Sequence, residues 1–135
     1  MTIRIAVIGA GVMGADHARI IATELPGAEL RWICDADAAR ARGVADATGA
    51  RHVSTDPLAA ISASEVDAVL IASPDSTHAA LTLACLQARK PVLCEKPLSQ
   101  DPAECLRVLQ AENMLGRQLV QVGFMRRFDP PYVEM

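Results

Sequence analysis

The sequence predicts an α/β fold: an open, doubly wound parallel sheet of about six strands. Three observations predict it. Short β-rich runs alternate with helical patterns along nearly the whole chain, which implies parallel βαβ units. The run Val66–Ala72 is apolar almost without interruption, as a strand buried on both faces must be. A glycine turn, Gly9-Ala10-Gly11-Val12-Met13-Gly14, lies between the first strand and the first helix.

Each element has its own local reason. Ile3–Ile8 is a compact apolar strand. Val12–Leu25 has helical spacing (Val12, Ala15, Ala18, Arg19, Ala22) and is stopped by Pro26-Gly27. Glu29–Cys34 is the second strand, and Ala36–Ala47 is an alanine-rich helix with Gly49 as its C-cap. His52–Ser54 is a short third strand, and Asp56-Pro57 opens a short helix with an N-cap and a first-turn proline. Val66–Ala72, the helix Ser76–Arg89 and the strand Pro91–Glu95 follow. Asp101-Pro102-Ala103-Glu104 then reads as N-cap, first-turn proline and capping-box acid. That helix is expected to turn Cys105, Leu106, Val108 and Leu109 inward and to end near Gly116, before a sixth strand at Gln118–Val122.

With 135 residues, net charge −3 and 51% hydrophobic residues, the chain can bury a core of its own without metal or disulfide staples. A charged fraction of 21% with mean hydropathy +0.21 excludes a disordered chain. Mild acidity argues against nucleic acid as a partner. The longest run without a polar side chain, Ile5–Ala15, has 11 residues and three glycines. It is too short to span a bilayer, and no leader peptide is expected. A soluble, cytoplasmic protein is the expectation. Cys34, Cys85, Cys94 and Cys105 form no CxxC pair and have no nearby histidine, so buried free thiols are expected and no metal site.

The glycine turn suits a dinucleotide. Gly9 allows the tight turn, Gly11 lets a pyrophosphate approach the backbone, and Gly14 lets the helix pack close. The N-terminus of the helix at Val12 and Met13 then offers N–H groups and its positive dipole end to the phosphates. Asp35 stands at the end of the second strand, roughly 20 residues further on, where a carboxylate accepts the adenosine ribose hydroxyls. Its charge would repel a 2′-phosphate, which favours NAD over NADP. Arg40 and Arg42, one helical turn on, act against that preference. Asp35 also stands where a helix N-cap would, shortly before a helix.

Two further stretches fall at carboxyl ends of strands, where doubly wound sheets bind ligands. Ser73-Pro74-Asp75-Ser76-Thr77-His78 follows the fourth strand, so Ser73 and Pro74 should touch the cofactor. Asp75 and Ser76 should also cap the next helix. His78, like His17 and His52, reads more simply as a packing or surface residue. Glu95-Lys96-Pro97 ends the fifth strand, where a lysine ammonium could hold a substrate hydroxyl or developing negative charge.

Together, Gly9–Gly14, Asp35, Ser73-Pro74 with His78, and Glu95-Lys96-Pro97 resemble the N-terminal Rossmann domain of the Gfo/Idh/MocA oxidoreductases. Val92-Leu93-Cys94 and the stretch Gln121–Asp129 resemble the inositol 2-dehydrogenase branch of that family. The resemblance implies an NAD-dependent dehydrogenase that oxidises a ring hydroxyl of a cyclic polyol. It places Gly9, Gly11, Val12, Met13, Gly14, Asp35, Ser73, Pro74, His78, Glu95 and Lys96 around the cofactor. It makes Lys96 a catalytic residue supported by Glu95, Arg126 a substrate-side residue, and Lys96–Pro97 a cis peptide. The family's second domain carries the usual base and is not expected within these residues. Residues 1–123 would be the cofactor domain and 124–135 the start of the connection, with Tyr132–Met135 entering a helix. The chain alone is then expected to bind NAD without turnover, and to self-associate through apolar surface near the sixth strand and Phe124–Phe128. A sugar or amino-sugar substrate, or a non-catalytic NAD-sensing module, are the competing readings.

Overall fold

The computed structural model describes residues 1–123. The strands are β1 (Ile3–Ile8), β2 (Ala28–Cys34), β3 (His52–Ser54), β4 (Ala68–Ile71), β5 (Val92–Glu95) and β6 (Val120–Gly123). The helices are α1 (Val12–Thr23), α2 (Ala38–Thr48), α3 (Pro57–Ser62), α4 (His78–Gln87) and α5 (Pro102–Leu115). All strands pair in parallel, in the order β3-β2-β1-β4-β5-β6. The order reverses between β1 and β4, so the carboxyl ends of those two strands open the cleft of a doubly wound sheet.

Two core layers sandwich the sheet. On one face, Val7, Leu30, Ile33 and Leu70 pack against Ala18 and Ile21 of α1 and Ala41 and Ala45 of α2. On the other, Ile8, Val69, Ile71 and Cys94 meet Ala60 and Ile61 of α3 and Leu81 and Cys85 of α4. Small alanines on the helices let these lie close to the sheet. Full burial of Ile33, Ile71 and Leu86 contributes roughly 1.5–3 kcal/mol for each side chain. On the α1 side of β4, β5 and β6, an apolar groove of about 340 Å³ runs between Leu25, Leu70, Pro91 and Leu93.

Local signals held at most helix ends. Asp56 accepts from the Leu58 amide at 3.0 Å, and Asp101 accepts from the Ala103 amide at 2.9 Å. Gly49 and Gly116 close α2 and α5 in the left-handed region (φ 81° and 69°). Glu104 does not complete a capping box with the Asp101 amide. Its carboxylate takes the Ser99 hydroxyl at 2.6 Å, and Ser99 Oγ accepts from the Asp101 amide at 3.0 Å.

Three further expectations fail. Leu106 and Leu109 point outward, 52% and 53% exposed. The inward stripe of α5 is Val108, Ala111 and Leu115, packed on Leu86 and Leu119, and at 100° per residue it leaves no room for the two leucines. Asp75 and Ser76 cap nothing: a single 3₁₀ turn at Asp75–Thr77 precedes α4, which starts without a side-chain cap. Cys105 is half-buried, while Cys34, Cys85 and Cys94 are buried. Tyr132–Met135 and Phe124–Phe128 lie outside the described residues.

Candidate active site

The glycine turn is shaped by close contacts. Gly9 has φ +103°, and a Cβ there would lie 2.5 Å from the Ala72 carbonyl group, where β1 and β4 part. A Cβ on Gly14 would lie 1.8 Å from the Gly9 carbonyl oxygen, so α1 crosses the turn in contact with its backbone. Gly11 differs. Its φ is −74°, and a Cβ there would have no neighbour within 4 Å. The fold itself does not require glycine at this position, and the open space in front of it fits a ligand that touches the backbone.

The start of α1 is also unlike those of α2, α3 and α5. Asp37, Asp56 and Asp101 each cap a helix with a carboxylate. At α1, Gly11 supplies no side chain and the first turn holds no acid. The first amides of α1 are therefore free to meet an anion, and the helix dipole favours one. These residues fit the pyrophosphate of a dinucleotide. Val12 and Met13, 88% and 47% exposed, flank the same turn.

Asp35 is buried at the end of β2. Its Oδ2 accepts from the Ala10 amide at 2.7 Å and its Oδ1 from the Asp37 amide at 2.8 Å. Arg40 closes on both oxygens, Nε to Oδ2 at 3.2 Å and Nη2 to Oδ1 at 2.9 Å. Burial pushes the Asp35 carboxyl up, but the Arg40 guanidinium and the two amides outweigh it and hold it below the ordinary carboxylate range. The helix cap is Asp37, which accepts from the Ala39 and Arg40 amides, so the N-cap role open to Asp35 in the sequence falls to its neighbour. Asp35, Arg40, Pro57, Ser73, Pro74 and Thr77 line a recess of about 210 Å³, open to the glycine turn at Gly9.

A second recess, about 200 Å³, lies on the other side of the turn between Met13, Ser73, Asp75, His78, Glu95 and Lys96. Lys96 is exposed at its edge and forms no ion pair with a described residue. The Lys96–Pro97 peptide is cis. The structure thus brings Ser73, Pro74, His78, Glu95 and Lys96 to the cleft beside the glycine turn. Arg126 lies outside the described residues. A roomier hollow of about 630 Å³ near α5 is lined by Asp75, Asp101 and Glu104 with serines and Gln100. Its acidic wall would repel an anionic dinucleotide.

Two histidines do more than a simple reading assigned. His78 is buried, with Nδ1 2.7 Å from the Pro97 carbonyl oxygen and Nε2 2.8 Å from the Ser73 carbonyl oxygen. It lies between the loop after β4 and the loop after β5, and the neutral ring, with one N–H, donates to one of the two carbonyls. It therefore positions the recess walls. His17 Nε2 lies 2.6 Å from Glu95 Oε1. Only its place one turn beyond Met13 on α1 could have signalled this from the sequence. Among the described residues, no group of three or more metal-ligating side chains occurs, and no helix is long and apolar enough to cross a membrane.

The family model described as "Oxidoreductase family, NAD-binding Rossmann fold" (GFO_IDH_MocA) matches residues 3–124. Inositol 2-dehydrogenase 2 of Saccharopolyspora erythraea is 57% identical over 136 aligned positions, covering all of this chain and 40% of that protein. Inositol 2-dehydrogenase of Rhodococcus erythropolis is 49% identical over 133 positions, covering 98% of this chain and 38% of that protein. Among solved structures, scyllo-inositol dehydrogenase of Lactobacillus casei, with bound NAD(H) and scyllo-inositol, superposes with TM-score 0.94 at 31% identity. That match covers 99% of this chain and 39% of the other. The chain therefore spans about 40% of the length of the curated relatives it matches.

Proposed function

This chain belongs to the Gfo/Idh/MocA oxidoreductases, and on that premise we propose that it is the NAD-binding part of a dehydrogenase that oxidises a ring hydroxyl of a cyclic polyol, in the manner of myo-inositol 2-dehydrogenases. Residues 1–123 are the cofactor domain in this reading, and the residues after them begin the connection to a substrate-side domain. The observation that carries it is the pair of recesses flanking the glycine turn, one ending at Asp35 and the other at Lys96. Inositol dehydrogenases are among the relatives that match at about half identity, which supports the polyol as substrate class.

Bound NAD⁺ supplies the hydride acceptor. The residues of this chain do the rest of the work on its side of the cleft. The free amides at the start of α1 hold the pyrophosphate, and Gly11 leaves room for it. Lys96 is a catalytic residue: its ammonium meets the hydroxyl undergoing oxidation and favours the negative charge that develops as its proton leaves. Glu95 keeps the end of β5 in place through His17, and Arg126 contributes on the substrate side. A general base must lie within hydrogen-bond reach of that hydroxyl, and in this reading it comes from the substrate-side domain. The chain by itself binds NAD without turning over polyol, and the apolar groove beside β5 favours association with another surface.

Two measurements test this. Calorimetric titration of the 135-residue chain should show NAD⁺ binding. In the longer enzyme, Lys96→Met should lower myo-inositol-dependent NADH formation at least about a hundredfold, with NAD⁺ affinity changed less than about threefold. An unchanged kcat in Lys96→Met would remove Lys96 from the mechanism. Absence of any dinucleotide binding would remove the cofactor reading.

A further inference from the structure

We propose that His17 and His78 are positioning residues for the hydroxyl oxidation, a brace that holds Lys96 from both faces of the sheet. The inference rests on the reading of Lys96 as the group that meets the substrate hydroxyl, and goes beyond it by assigning what places that group. Along β5, Leu93 packs on the α1 face of the sheet and Cys94 on the α4 face. The period of two therefore turns Glu95 toward α1. There His17 Nε2 meets Glu95 Oε1 at 2.6 Å. The end of β6 closes on the other oxygen, since a Cβ on Gly123 would lie 3.3 Å from Glu95 Oε2. The residue before Lys96 is thus fixed to α1, the helix whose first turn would hold the pyrophosphate.

The residue after Lys96 is fixed from the opposite face. His78 opens α4, is buried, and lies 2.7 Å from the Pro97 carbonyl oxygen and 2.8 Å from the Ser73 carbonyl oxygen. Its ring fills the gap between the two loops, and its N–H satisfies one of the two carbonyls. Lys96 forms no ion pair with a described residue that would hold it directly. Its backbone is therefore placed by its two neighbours, each tied through an imidazole to a part of the cofactor cleft. A misplacement of about 1 Å can cost a reacting group on the order of a hundredfold in rate. The brace consequently bears on the chemical step and little on dinucleotide binding.

The test is steady-state kinetics of the longer enzyme with NAD⁺ and myo-inositol, on single variants and on a Lys96→Met background. His17→Ala, and His78→Phe, which keeps a ring and loses the N–H, should each lower kcat at least about tenfold, with NAD⁺ affinity changed less than about threefold. His17→Gln and His78→Gln keep a donor and should recover part of the loss. Ile61→Val truncates the buried core on α3 and should leave kcat as it is, so it reports lost stability alone. Adding His17→Ala to Lys96→Met should change the remaining rate less than about twofold, because a residue that acts through Lys96 has nothing left to place. Circular dichroism checks folding, and the His17 variants decide the question where His78→Phe does not fold. An unchanged kcat in His17→Ala, or its full loss repeated on the Lys96→Met background, overturns the proposal while leaving Lys96 in the mechanism. An unchanged kcat in Lys96→Met overturns the underlying reading, and the proposal with it.

Discussion

His17 on α1 and Glu95 at the end of β5 are joined through Nε2 and Oε1 at 2.6 Å, across 78 residues of chain. Both side chains are largely buried, 26% and 16% exposed. The contact ties the helix that starts at the glycine turn to the strand that delivers Lys96. It makes the separation of the two recesses a matter of side-chain chemistry as well as of sheet geometry. Removing His17 leaves a mostly buried carboxylate without its partner, so His17→Ala should cost about 1–2 kcal/mol of stability in urea unfolding. His17→Gln, which restores a donor, should recover part of the loss. A midpoint unchanged in His17→Ala would show the contact to be energetically idle.

The glycines of the turn should separate by role. Gly14→Ala forces a methyl group into the Gly9 carbonyl and should unfold or severely destabilise the chain, by several kcal/mol. Gly11→Ala meets nothing and should leave the thermal midpoint within about 2 °C, since surface changes away from special features fall within about 0.5 kcal/mol. It should still weaken NAD⁺ binding tenfold or more, because the methyl group stands where the ligand backbone contact would be. Thermal melts and titrations of the two variants, run together, read both effects. Equal affinity for NAD⁺ in Gly11→Ala would place the pyrophosphate elsewhere.

At acid pH the Arg4–Asp67 pair should be visible. Hydrogen bonds from the Arg4 side chain and its amide lower the Asp67 carboxyl to about 2. A carboxyl depressed on folding stabilises fully above its unfolded value near 3.8, and the contribution disappears as pH falls through about 2. Asp67→Asn should therefore flatten the dependence of stability on pH below about 4. The pair is more than a third exposed on the Asp67 side, so solvent screening keeps the contribution small. A steep acid limb retained in Asp67→Asn would assign it to other carboxylates.

Thiol chemistry should single out one cysteine. Burial pushes the Cys34 and Cys94 thiols up to about 11 and the Cys85 thiol up to about 12. Thiolate is the reactive form, so these three should stay unlabelled by iodoacetamide at pH 8 in the folded chain. Half-buried Cys105 should react first. Intact-mass spectrometry should show one adduct in native buffer and four in urea. Early labelling of Cys94 would mean that the β5 region opens more readily than its packing implies.

Much of this was readable without a structure. Strand and helix positions followed from short-range patterns, and helix ends followed from Asp56-Pro57, Asp101-Pro102, Gly49 and Gly116, because caps act over two or three residues. The roles of Gly9 and Gly14 were legible because a backbone turn needs the same chemistry wherever it occurs. Errors came where local pattern left a choice of direction. In α5 the apolar residues outnumber one stripe, and only packing on Leu86 and Leu119 selected Val108 over Leu106 and Leu109.

The doubly wound sheet, the glycine turn and the acid beyond it are encoded locally, since periodicity, capping and turn geometry are properties of neighbouring residues. What those residues touch is set by the packing of distant segments. Asp35 reaches the Ala10 amide over 25 positions, and Glu95 reaches His17 over 78. That packing also decided that Arg40 pairs with both oxygens of Asp35 and that His78 is buried between the Ser73 and Pro97 carbonyls. Such contacts depend on how the ends of separate strands and helices meet in space, and no local spacing encodes the distance between them.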